Sequence, residues 1–125
     1  PLACAAGLSF LEEIAAGDLV TRSRELGKTL LGSLSEALSP FPEVADVRGR
    51  GLLLGIDFRD PETRRPLKGK AARAALRALQ EGLLVLPAGS VGHVLELSPP
   101  LVVTEEQLAW AVACLKKVIQ TALAE

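Results

Sequence analysis

Val47-Arg48-Gly49-Arg50-Gly51-Leu52-Leu53-Leu54-Gly55-Ile56-Asp57-Phe58 decides how this chain folds. A phosphate-cradling G-x-G-x-x-G loop requires a third glycine three residues after the second and a helix opening there. Leu54 holds that third position, and an alternating apolar run carrying Ile56 and Phe58 follows Gly51. Alternation of period two is the signature of a strand with one buried face. The stretch therefore predicts two strands joined by a glycine-permitted bend, with the glycines serving backbone shape. Residues 44–49 and 51–58 form the hairpin. Leu52, Leu54, Ile56 and Phe58 lie on one face, with Leu53, Gly55 and Asp57 on the other.

Helical signals surround this hairpin. Ala6, Leu8, Leu11 and Ile14 make an apolar stripe closed by Gly17. Asp18 then suits the N-cap of a second helix bearing Leu19, Leu26, Leu30, Leu34 and Leu38. Ser39-Pro40-Phe41-Pro42 stops it, since proline cannot continue a helix. Beyond the polar loop 59–66, a third helix over about residues 69–81 presents Ala72, Ala75, Leu76 and Leu79. Leu83-Leu84-Val85-Leu86 is apolar on both faces and reads as a central, doubly covered strand. A glycine-rich loop, residues 87–92, leads to a strand over residues 93–98, ended by Pro99-Pro100. Thr104-Glu105-Glu106-Gln107 fits a capping box opening a last helix striped by Leu108, Val112, Leu115, Ile119 and Leu123. The fold class expected is α+β, a small, mostly antiparallel sheet covered by helices. It forms one domain over residues 1–125, with N-terminal helices in 1–40 and the helix-covered sheet in 41–125.

Composition narrows the functional classes. The chain has 125 residues, 49% of them hydrophobic, with a net charge of −1 and both signs interspersed. No basic stripe with interleaved aromatics is present, which argues against nucleic acid. No apolar run approaches the roughly 20 residues that span a bilayer, and residues 1–6 lack the basic start of a signal peptide. Cys4 and Cys114 are too few for a disulfide framework or a metal site, so a reduced, cytoplasmic setting is the economical expectation.

Few residues offer chemistry. Lys28, Lys68, Lys70, Lys116 and Lys117 fall on polar faces or a helix start, whereas a reactive lysine needs a desolvated or cationic pocket. His93, the sole histidine, opens a strand with no metal-ligand spacing around it and reads as a structural or surface residue. Arg48 and Arg50 flank Gly49 and offer two guanidinium forks to an anion, set against ordinary solvation at a bend. Glu96 differs. Leu95 and Leu97 share the face of their strand that packs on helices, leaving Glu96 with Val94 and Ser98 on the opposite face. It lies either at a rim or aimed at something outside the domain. No catalytic, cofactor-binding or metal-binding residue is expected in this chain.

Four segments in order carry a resemblance: residues 1–6, 46–57, 82–89 and 94–106, the last reading Val94-Leu95-Glu96-Leu97-Ser98-Pro99-Pro100 at its start. Together they resemble the C-terminal part of class III pyridoxal-phosphate aminotransferases, the group of 4-aminobutyrate, ornithine and acetylornithine aminotransferases. The resemblance implies the small domain of a fold-type-I transferase, packed on a large cofactor domain of the same polypeptide within a homodimer. It implies transfer of an amino group between an amine or ω-amino acid and a 2-oxo acid, with pyridoxal phosphate as electron sink. The family's cofactor lysine, pyridine-nitrogen aspartate and phosphate-binding residues lie upstream of the matched segments. Lys68-Gly69-Lys70 only superficially matches a lysine-glycine pair. The chain is thus expected to be a fragment that binds no cofactor and is inactive by itself. The alternative is a freestanding α+β binding or regulatory module.

One departure bears on substrate. Where amino-acid-using members of the family usually carry an arginine that clamps a carboxylate bidentately, this chain has Glu96. At ~4 Å and an effective dielectric near 20, an attraction of about 4 kcal/mol becomes a repulsion of similar size. The resemblance therefore implies an amine or ω-amino donor in preference to a simple α-amino acid. His93 also replaces a common asparagine.

Overall fold

The computed structural model describes residues 1–124. The element order is α1 (Leu2–Ala16), α2 (Leu19–Leu38), β1 (Val44–Arg50), β2 (Leu53–Phe58), α3 (Lys70–Gln80), β3 (Leu86–Ala88), β4 (Val94–Leu97) and α4 (Glu105–Ala124). The four strands form one antiparallel sheet in the order β1-β2-β4-β3. An α+β class with helices over an antiparallel sheet is what the periodicities require.

The hairpin forms around Gly51, whose φ of 56° is a conformation that side chains disfavour. Leu52, Leu54, Ile56 and Phe58 are all buried, as the alternation demands. Leu95 and Leu97 extend the same face across β4. Onto it pack Leu26, Leu30, Leu34 and Leu38 of α2 and Leu115, Val118 and Ile119 of α4, giving one continuous hydrophobic cluster. The capping box is made in full. The Gln107 amide donates to Thr104 Oγ1 at 3.2 Å, and the Thr104 amide donates to Gln107 Oε1 at 3.0 Å.

Helix α2 is tied to the hairpin at close range. A Cβ on Gly27 would collide with the carbonyl group of Gly51, so the two backbones touch directly. Beside that contact the Leu52 amide donates to Ser23 Oγ at 3.2 Å. One turn earlier, Arg22 donates to the carbonyls of Leu101 at 3.3 Å and Val103 at 2.6 Å, holding the segment that leads from β4 to α4.

Four expectations need correction. Helix α3 buries Ala71, Ala74 and Ala78, while Leu76 and Leu79 are 59% and 57% exposed. Its inner face is small because α3 is laid closely over α4 and β3, where leucines would not fit. The run Leu83–Leu86 is not a central strand. Only Leu86 joins β3, a three-residue edge strand paired with β4 alone, and Leu84 is 75% exposed. Helix α1 forms and ends at Gly17, but none of its residues is buried, because it packs on α2 only. Asp18 occupies the N-cap position of α2 with φ 44° and no side-chain capping bond, the Arg22 amide bonding its carbonyl instead.

Candidate functional site

All helices that cover the sheet lie on its Leu54–Ile56 face, so the opposite face is left without a helical layer. Cross-strand register assigns its residues: Asp46, Arg48 and Arg50 from β1, then Leu53, Gly55 and Asp57 from β2, Val94 and Glu96 from β4, and Leu86 and Ala88 from β3. Arg48, Gly55 and Glu96 share one row. Gly55 has no side chain, so the row has a floor between two charged walls. The walls stand roughly 10 Å apart at the backbone, twice the interstrand spacing. A groove of about 420 Å³ runs over this floor between Arg48, Arg50 and Glu96. Glu96 also borders a second, more apolar cavity of about 430 Å³ that opens past Leu84 and Leu86 toward Trp110.

One end of this face is an ionic cluster. Asp57 is buried, and Arg59 Nε donates to Oδ1 and Oδ2 of Asp57 at 3.2 Å each while Arg59 Nη2 reaches Oδ2 at 3.2 Å. Arg48 Nη1 donates to Asp57 Oδ2 at 3.2 Å and to Asp46 Oδ2 at 3.0 Å. Arg48 therefore has its already high pKa raised further, chiefly by its hydrogen bond with Asp46, opposed next by burial, with Asp57 adding to the rise. His93 is buried against the same carboxylate, with Nε2 4.0 Å from Asp57 Oδ1, and its Nδ1 is buried without a hydrogen-bond partner. Within Asp46, Arg48, Asp57 and Arg59 the two charges of each sign cancel.

Each sequence candidate now has a place. Arg48 is half exposed and spends its Nη1 on two aspartates. Arg50 and Glu96 make no hydrogen bond or ion pair with any described residue, and Glu96 is partly buried. Among the lysines, Lys28, Lys68 and Lys116 are exposed and Lys117 pairs with Glu81 at 2.8 Å. That contact raises the pKa of the Lys117 ammonium, mainly through the hydrogen bond. Lys70 departs from the solvated reading. It is partly buried, and its Nζ donates to the carbonyls of Ala122 at 3.1 Å and Leu123 at 3.3 Å, at the C-terminus of α4. Sequence reasoning missed the burial of Asp57. The only signal was an aspartate in an otherwise apolar strand with an arginine two residues to its C-terminal side. Among the described residues no group of histidine, cysteine, aspartate and glutamate could hold a metal ion, and no helix is long and apolar enough to cross a membrane.

This sheet and its helical cover recur in known proteins. The aminotransferase class-III family model matches residues 1–119, and the chain belongs to that family. It is 40% identical to a probable 4-aminobutyrate aminotransferase of Bacillus subtilis over 86% of its own length and 25% of the relative's. A solved Bacillus anthracis aminotransferase superposes with a TM-score of 0.90 at 35% identity, over 97% of this chain and 28% of that one. An amine transaminase from an uncultivated Pseudomonas species, solved in its PLP-bound form, superposes with a TM-score of 0.88 at 33% identity, over 96% and 27%. The chain thus spans about a quarter of the length of the relatives it matches.

Pyridoxal phosphate is the cofactor of this family. The residues of this chain do not fit as its holder. Neither cavity beside Glu96 is lined by a lysine, and the lysines with polar contacts spend them on Glu81 and on the end of α4.

Proposed function

We propose that residues 1–125 are a single domain, the small C-terminal domain of a class III aminotransferase whose larger domain belongs to the same polypeptide. The complete enzyme is a cytoplasmic homodimer that passes an amino group from an amine or ω-amino acid to a 2-oxo acid. A primary amine donor leaves as an aldehyde, and the 2-oxo acid leaves as an amino acid. Pyridoxal phosphate, held by the large domain, supplies the electron sink. The family match and the 25–28% coverage of its relatives support a missing cofactor domain. That both cysteines are free supports the compartment. By itself this chain is catalytically incompetent.

Glu96 carries the reading of substrate class. Its carboxylate is partly buried on the open face and makes no ion pair with any described residue. An α-carboxylate brought beside it is repelled, whereas an amine is not. The role of this chain is to close one side of the substrate site and exclude carboxylates from that side. The test is Glu96→Arg in the full-length polypeptide. kcat/KM should rise for α-carboxylate donors relative to plain amines, and equal change for both classes overturns the assignment.

A further inference from the structure

The groove over Gly55 is lined by two charges of opposite sign that have no ion pair. Of its charged residues, Arg48 spends Nη1 on Asp46 and Asp57, whereas Arg50 and Glu96 make no ion pair with any described residue. Arg50 and Glu96 share one face of the sheet. Arg50 stands two residues along β1 from the Arg48–Gly55–Glu96 row, opposite Leu53. Two interstrand spacings and two residue rises put the Cα atoms of Arg50 and Glu96 about 12 Å apart. An extended arginine and a glutamate together span that gap. Gly55 puts no side chain in the way, and the half-exposed Leu53 offers apolar surface for the arginine stem to lie along. Closure favours the carboxylate most. Glu96 is partly buried and has lost solvation that only a cation or hydrogen-bond donors restore, and a guanidinium fork matches it bidentately.

We infer that Arg50 latches across the Gly55 floor onto Glu96, and that this ion pair, rather than Glu96 alone, sets which charges the groove admits. The second half of the inference rests on the aminotransferase reading above. The latch is weak, because Arg50 is exposed and pairs with an exposed member shift an equilibrium by no more than about fivefold. A ligand can therefore open it, at a cost that depends on the ligand's charge. An anion that takes Arg50 strips Glu96 of its counter-ion and then meets the bare carboxylate. A neutral chain lying beside the closed pair disturbs neither charge. Arg50 is thus a specificity-determining residue in its own right. With the latch closed the two charges cancel, and removing either one biases the groove toward the sign that remains.

The test is a double-mutant cycle in the full-length, cofactor-loaded enzyme, with Arg50→Gln, Glu96→Gln and the two combined. Each single variant should lower the melting temperature, and the double variant should lose less than the sum of the two. That coupling should fade toward about 1 M salt, where the Debye length is about 3 Å. Exchanging the charges, Arg50→Glu with Glu96→Arg, should recover the melting temperature that either exchange alone loses. Selectivity is the second readout. The ratio of kcat/KM for α-carboxylate donors to that for plain amines should fall about two- to fivefold in Arg50→Gln and rise by as much in Glu96→Gln. In the double variant it should return to the wild-type ratio. Additive losses of melting temperature overturn the inference. So does a Glu96→Gln effect that is the same with arginine or glutamine at position 50, which identifies a cation elsewhere in the polypeptide as the partner of Glu96. Coupled melting temperatures with an unmoved selectivity ratio uphold the ion pair and refute the substrate reading of this face, so the two failures are told apart.

Discussion

At the scale of single residues, the chain is governed by what its glycines and aspartates permit. Gly27 is required because the Gly51 carbonyl occupies the place of its missing side chain. Gly27→Ala should destabilise the protein by about 1–3 kcal/mol, the usual cost of overpacking, since the obstacle is backbone and cannot rotate away. Urea unfolding of the purified protein checks this, and an unchanged midpoint would mean that α2 shifts freely. The need for glycine at position 27 was not legible in the sequence, because the contact joins a helix to a turn in another part of the chain. Asp57 was half legible. Alternation put it on the open face, but its burial depends on Arg48 from β1, Arg59 just after β2 and His93 just before β4 converging on it. Glu96 was legible in position and face, because both follow from the local period of its strand.

At the scale of elements, the cap of α4 was legible locally, the cap of α2 was not, and contacts between distant elements left no local pattern. The capping box of α4 was plain in the sequence because all its partners lie within four residues. Thr104→Ala should cost about 1 kcal/mol by removing the acceptor for the Gln107 amide, measurable by thermal or denaturant unfolding. The other end of α4 is bonded by Lys70, from far earlier in the chain, and no sequence pattern announces it. Lys70→Met keeps the aliphatic stem and removes the charge. It should loosen the last turn of α4, at a cost of about 0.3–1 kcal/mol, with faster amide hydrogen exchange confined to that turn. Exchange unchanged there would show the contact to be inconsequential. Helix α3 shows why periodicity misleads. Two stripes are available on it, and the more apolar one, with Leu76 and Leu79, was expected inside. The alanine stripe won, because the space beneath admits only small side chains.

At the scale of the whole molecule, the fold class followed from the order of periodicities, whereas strand order did not. Nothing in Leu83–Leu86 distinguishes a central strand from an apolar edge facing a neighbour, since both bury leucines on two sides once the neighbour is present. Leu53, Leu84, Leu86 and Trp110 are 56%, 75%, 54% and 50% exposed, along with the leucines of α3. Surface of this kind drives association. The 125-residue polypeptide should therefore self-associate with rising concentration in sedimentation velocity, and serine at positions 53 and 86 should weaken that association. A monomer at every concentration would count against an interface there.

The turn of α2 that carries Arg22, Ser23 and Gly27 grips both the hairpin bend and the strap after β4. The strands bearing Gly55 and Glu96 are thereby splinted to one rod, with no slip plane between them. Displacing one of these strands along the other would break the contacts of that rod with the bend and with the strap. The spacing between the carboxylate and the glycine floor is thereby a fixed gauge, set by a helix on the far side of the sheet.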